Sequence, residues 1–194
     1  MASVEKLSEY FLIPCIERIL DAFPFEIKGF HSDNGSEFIN YQTAEIVKKL
    51  HAEVTKSRPI HSNDNAPAES KNATVVRKRF GHSHIPQRLA AKINNFNRDY
   101  LNPYLNFHRP CLFPKSNVNE NGKIKKQYPY ELISTPYEKL KSLPNAASFL
   151  KPEITFEMLD KIAYKFSDNE AASLLDEAQR KLFEEIMSTN TRSA

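Results

Sequence analysis

The chain has 194 residues, 40% of them apolar and thirteen of them Phe, enough for one domain with an appendage or for two small domains. Its net charge of +3 is mild, so a case for nucleic acid has to come from local clusters rather than from the total. No stretch approaches ~18 uninterrupted apolar residues and no basic segment leads into an apolar run at the N-terminus, so neither a membrane span nor a secretory signal is expected.

Residues 3–22 carry Val4, Leu7, Phe11, Cys15, Ile19 and Leu20 at helical spacing, and Pro14 predicts either a kink or a later start. Phe23-Pro24-Phe25 ends that helix, and Glu26 to Ser32 reads as a strand weakened by Gly29. Ser36 to Leu50 reads as a second helix and Ala52 to Lys56 as a short strand. After a polar loop over 57–66, a helix opens near Pro67 and runs through Val75, Val76 and Phe80 until Gly81. Leu89, Ile93, Phe96 and Tyr100 give a further amphipathic helix over 87–101, with Asn102 to His108 continuing it after a break. Residues 111–136 change character: Pro114, Asn117, Asn119, Asn121 and Gly122 mark loop, and Lys123-Ile124-Lys125-Lys126 is a basic run. The tail from 145 onward reads as helical. In it Ser167-Asp168-Asn169-Glu170 is a capping-box pattern, and Ala171, Leu174, Leu175, Ala178, Leu182 and Ile186 form an apolar stripe. Cys15 and Cys111 are too far apart to read as a metal pair and are expected as reduced thiols in a cytoplasmic protein.

The chemistry concentrates between His31 and Asn72. His31-Ser32-Asp33-Asn34-Gly35 puts a carboxylate at the end of a predicted strand, followed at once by a turn signal. His61-Ser62-Asn63-Asp64-Asn65-Ala66-Pro67-Ala68-Glu69 puts a second carboxylate in the first turn of a predicted helix. A strand-end Asp and a helix-borne Glu can meet at one pocket and share a hard cation. Asn72 follows Glu69 by three residues, on the same helix face. Lys71, Arg77, Lys78 and Arg79 make that helix basic. His82 and His84 have no nearby Cys or third His, which argues against zinc.

These blocks resemble the integrase catalytic core of retroviral-type integrases and bacterial insertion-sequence transposases, the DDE group of the RNase H-like fold. That family carries an Asp in an HSDNGSEF-like block and a Glu about 35 residues on in an SRPxHxxDNAxxExxN-like block; here 35 residues lie between Asp33 and Glu69, and Ser57-Arg58-Pro59-Ile60-His61 matches the lead-in. Phe107-His108-Arg109-Pro110 resembles the later HRP block and Thr135-Pro136-Tyr137-Glu138 a TPYE-like block, so the likeness covers roughly residues 8–143. It implies a partial RNase H-like α/β core over 1–112; the change of character after it reads as a basic linker with the TPYE-like segment over 113–144, and the helical pattern beyond as an extension over 145–194. It also implies Mg2+ or Mn2+ held by Asp33 and Glu69, with DNA ends and target DNA as partners. Lys71, Asn72, Arg77 and Lys78 are the DNA-contacting residues it suggests, and the run with Lys123, Lys125 and Lys126 reads by its charge as a further phosphate-contacting arm.

The family's first Asp stands on an earlier strand of a five-stranded sheet. Glu5, Glu9, Glu17 and Asp21 all sit on or next to the first predicted helix and none follows a β-type run, so that carboxylate is expected to lie outside this chain. The resulting expectation is an N-terminally truncated transposase core, related to metal-dependent DNA cutting and strand transfer and inactive alone. Such a core would self-associate or be complemented by a missing N-terminal half. The alternative is a non-catalytic nucleic-acid-binding or regulatory fragment of a mobile element.

Overall fold

The structure is a computed structural model that describes residues 1–6, 8–32, 53–56, 72–118 and 122–191. It is mixed α/β and helix-rich, and it divides into two compact units, residues 1–95 with 181–194 and residues 96–180. The three-part division expected from the sequence rests on a core that includes residues 33–52 and 57–71, which lie outside the described residues.

In the first unit, α1 (Glu9–Ala22) forms because Leu12, Ile16 and Leu20 recur every four residues; they are buried together and Ile27 packs against them. Cys15 is also buried, so Cys15 and Leu20 of the expected stripe belong to the core, while Phe11 and Ile19 are half-buried and Leu12 and Ile16, one position away from Phe11 and Cys15, complete it. The helix starts late, at Glu9, and keeps Pro14 inside it, where the Pro14 carbonyl accepts from Arg18 Nε at 3.2 Å. Two short strands follow, β1 (Gly29–Ser32) and β2 (Glu53–Lys56). They pair in parallel, Gly29 opposite Glu53, Phe30 opposite Val54, His31 opposite Thr55 and Ser32 opposite Lys56. The helix expected over Ser36 to Leu50 lies outside the described residues.

Next, α2 spans residues 72–80. It opens as a π-helical turn, Asn72–Arg77, tightens to an α-turn at Lys78–Phe80, and buries Val75 and Phe80. Gly81 stops it at φ 71 and ψ −155, a positive-φ conformation that glycine adopts without steric cost. The long helix α3, residues 87–108, then buries Leu89, Ile93 and Phe96 as its periodicity predicts. The N-terminal segment is tied to it by a reciprocal pair: Ser3 N donates to Asn94 Oδ1 at 2.7 Å, and Asn94 Nδ2 donates to the Ser3 carbonyl at 2.8 Å.

In the second unit α3 does not break at Asn102-Pro103. It runs through as two π-helical turns, Asn97–Leu101 and Tyr104–His108, on either side of Pro103. Proline gives no N–H and crowds the preceding turn, and the wider turns carry the helix past it. Leu101 is fully buried, whereas Tyr100, the expected core residue, is 42% exposed. Two strands, β3 (Cys111–Leu112) and β6 (Ile133–Ser134), pair antiparallel, and between them stands a hairpin of β4 (Lys115–Val118) and β5 (Ile124–Gln127). The segment expected as a plain linker therefore contains a ribbon.

Three helices close the second unit. Thr135 caps α4 (Pro136–Lys141) with a capping box, its Oγ1 accepting from Glu138 N at 3.2 Å while Glu138 Oε2 accepts from Thr135 N at 2.8 Å. Thr155 caps α5 (Phe156–Ala163) by accepting from Met158 N. The box expected at Ser167 opens α6 (Asp168–Thr191): Ser167 N donates to Glu170 Oε2 at 2.8 Å and Glu170 N to Ser167 Oγ at 3.3 Å. Of the stripe expected on α6, Ala171, Leu175, Leu182 and Ile186 are buried and Leu174 is exposed. Among the described residues no helix is long and apolar enough to cross a membrane.

Candidate metal centre and nucleic-acid interface

The two strands of the parallel pair run on in sequence into the two candidate blocks. Ser32, the last residue of β1, immediately precedes Asp33, and Lys56, the last residue of β2, immediately precedes the Ser57-Arg58-Pro59 lead-in to Glu69. The opening residue of α2, Asn72, follows Glu69 by three positions. Asp33, Glu69 and Lys71 themselves lie outside the described residues. Chemically, two carboxylates suit a hard divalent cation, which takes oxygen ligands and leaves its other positions to water or phosphate oxygen.

On α2, Asn72, Arg77 and Lys78 are exposed, as a phosphate-contacting face requires, and Arg79 is half-buried. His82 and His84 are exposed on the loop that follows. Lys123, Lys125 and Lys126 are exposed on and beside β5.

The structure also brings together the two later motif blocks. His108 is buried at the end of α3, and its Nδ1 lies 3.1 Å from Asp168 Oδ1. The Arg109 backbone N–H closes the last turn of α3 on the Tyr104 carbonyl at 2.8 Å. Directly after Pro110, β3 pairs with β6, which ends directly before Thr135. The HRP-like and TPYE-like blocks thus grip the two ends of the hairpin-bearing segment. The Phe107 and Tyr137 rings join them, with centroids 5.2 Å apart.

Sequence reading missed a polar clamp in the second block. Tyr137, 2% exposed, donates from its hydroxyl to Asp160 Oδ1 at 2.7 Å and to the Phe156 carbonyl at 3.3 Å. Burial, then the bonded Asp160 carboxylate, push the Tyr137 phenol far above its ordinary range. Lys141 bonds both oxygens of Asp160, which raises the ammonium and, with the Tyr137 hydroxyl, holds the Asp160 carboxyl below the usual value. Tyr137 was named in the motif, but Asp160 stands 23 residues away with no local signal to link it.

No protein-family model matches the chain, and no solved structure matches it. It is similar to an uncharacterized protein, y4rM, of Sinorhizobium fredii (strain NBRC 101917 / NGR234), at 26% identity over 117 residues. The match takes in 60% of this chain and 33% of the relative, so the chain covers about a third of the length of the curated protein it matches.

Proposed function

We propose that this chain is the later part of an integrase-type catalytic core with an RNase H-like fold, related to DDE transposases that cut and join DNA. The observation that carries the reading is the parallel pairing of β1 with β2, in the register that brings Ser32 opposite Lys56. Parallel neighbours need a crossover of a dozen or more residues, and residues 33–52 supply it. In open sheets of this kind ligands gather at the carboxyl ends of the strands, and that is where the chain runs on into the Asp33 block and the lead-in to Glu69.

Asp33 and Glu69 are the residues that would hold Mg2+ or Mn2+. Bound there, such an ion would supply Lewis-acid chemistry for an attacking oxygen and a phosphoryl group. Asn72 positions the Glu69 carboxylate or a phosphate oxygen, and Lys71, Arg77 and Lys78 neutralise phosphates. The first carboxylate of the triad is supplied from outside residues 1–194. Among the described residues β1 and β2 pair with each other, so each has an outer edge able to accept a further strand.

The test is paramagnetic. Mn2+ added to the isotopically labelled chain should broaden backbone signals around both Asp33 and Glu69, weakly and together, and Asp33→Asn should remove both effects. Broadening confined to one of the two stretches overturns the reading. The second reading, a non-catalytic nucleic-acid-binding fragment of a mobile element, draws on the exposed basic ribbon, which needs neither carboxylate.

A further inference from the structure

The β4–β5 ribbon is exposed at every residue of both strands, so neither face is spent on the core. An isolated two-stranded hairpin is marginal in water. This one is held at its base, where β3 pairs with β6 and Lys139 Nζ sits 5.7 Å over the Phe113 ring. Its surface chemistry is therefore free to serve a ligand.

Register divides that chemistry between the faces. Lys115 opposes Gln127 and Asn117 opposes Lys125, so these four residues share one face; Ser116, Lys126, Val118 and Ile124 share the other. The first face holds only ammonium and amide groups. Asn117 Nδ2 donates to Gln127 Oε1 at 2.9 Å, which orients both amides and leaves the Asn117 Oδ1 acceptor and the Gln127 amino donors for a partner. Between residues 113 and 130 the acidic residue is Glu120, which lies outside the described residues, against Lys115, Lys123, Lys125 and Lys126.

Groove dimensions select among polyanions. Two strands about 4.8 Å apart with side chains along both edges make a ribbon that the undeformed B-form major groove, about 12 Å wide, admits, whereas the minor groove, about 6 Å wide, would first have to be opened. The A-form major groove of duplex RNA is too narrow and deep for side chains to read. We propose that the ribbon enters the major groove of B-form DNA with the Lys115–Asn117–Lys125–Gln127 face toward the base edges. There the amides meet the N7 and N6 groups of adenine, and the two lysines meet guanine O6 and N7. Lys126, on the opposite face, and Lys123 take flanking phosphates. The inference rests on the nucleic-acid side of the proposed function and makes no use of Asp33 or Glu69.

The test compares binding of the full chain, by fluorescence anisotropy, to a short DNA duplex, the same duplex with 7-deazapurines, and the matching RNA duplex. Loss of the major-groove N7 acceptors should weaken binding about fivefold or more, and RNA should bind more weakly than either DNA. Asn117→Ala with Gln127→Ala should bind ordinary DNA about as weakly as the native chain binds deaza-DNA, and should no longer distinguish the two. Equal affinity of the native chain for ordinary and deaza-DNA overturns the proposal, as does equal affinity for RNA, absence of DNA binding, or an unaffected double variant. Sedimentation provides a protein-only arm. If the chain dimerises and Val118→Asp with Ile124→Asp makes it monomeric, the ribbon is an interface between copies and the proposal fails. Any of these failures leaves the manganese experiment on Asp33 and Glu69 to decide the catalytic reading by itself.

Discussion

Lys141 Nζ lies 2.7 Å from both carboxylate oxygens of Asp160, and the same ammonium stands 5.9 Å from the ring centroids of Tyr137, Phe156 and Tyr164. The ion pair is partly exposed, so by itself it contributes little. The buried Tyr137 hydroxyl beneath it is the stronger element, because a buried donor left without an acceptor costs more than an exposed pair gains. Together they fasten α4, and with it the TPYE-like block, to α5.

Tyr137→Phe should lower stability by about 1–2 kcal/mol, since a hydrogen bond to an ionised group is lost. The pH dependence has a definite sign. Tyr137 and Lys141 both hold their protons more tightly in the fold, so their contribution is fully present below the ordinary tyrosine and lysine values near ~10 and is lost as pH rises through the raised folded values. Asp160 is depressed, so its contribution is present above about 3.9 and is lost as pH falls through its folded value. Thermal melts between about pH 8 and pH 11 should therefore fall less steeply in Tyr137→Phe than in the native chain. An identical alkaline limb in both would contradict the role given to this hydroxyl.

The His108–Asp168 pair is unequal. The His108 side chain is 5% exposed and that of Asp168 is 59% exposed. An ionised carboxylate only accepts, so Nδ1 carries the proton. His108→Ala should cost about 2–3 kcal/mol through lost packing and a lost bond. Asp168→Ala should cost no more than about 1 kcal/mol, most of it from the first turn of α6. Urea melts of the two variants decide this, and equal losses would show that the exposed carboxylate matters as much as the buried ring.

Asn97 is 1% exposed, and among the described residues neither its Nδ2 nor its Oδ1 has a hydrogen-bond partner. Replacing an unsatisfied buried amide by an apolar side chain of similar volume removes a desolvation penalty. Asn97→Leu should raise stability by about 1 kcal/mol, or roughly 2–4 °C in Tm for a chain of this size. A loss of comparable size would mean that the amide is satisfied by water.

On the proposed reading, the outer edges of β1 and β2 make the chain self-associate at micromolar to millimolar concentration, and a fragment supplying the missing strands should abolish this. Sedimentation equilibrium with and without that fragment measures it. A chain that stays monomeric throughout and does not bind the fragment would count against the missing-strand reading.

What the sequence revealed depended on how each element earns its stability. The stripe of α6 and the positions Leu89, Ile93 and Phe96 were legible because burial repeats at the helical period. The passage through Pro103 was not, because π-helical turns leave no period that local reading recognises. The ribbon was hidden for the opposite reason: with every residue of β4 and β5 exposed, there is no apolar alternation to betray a strand. Gly122, at φ 71 ahead of β5, marked a turn but not what it joined. Asp33 and Glu69 stand out by motif and spacing but lie outside the described residues, while Lys141 and Asp160, 19 residues apart on separate helices, leave no trace in local pattern.

The pairing of Cys111 with Ser134 and of Leu112 with Ile133 has a topological consequence. Residues 113–132, within the second unit, begin and end at nearly one point, since opposed backbones in an antiparallel pair stand only about 5 Å apart. A tight turn can span that gap. The segment is thus a detachable cassette: it can be shortened, lengthened or exchanged between related chains while the grip of His108 and Thr135 on either side stays as it is.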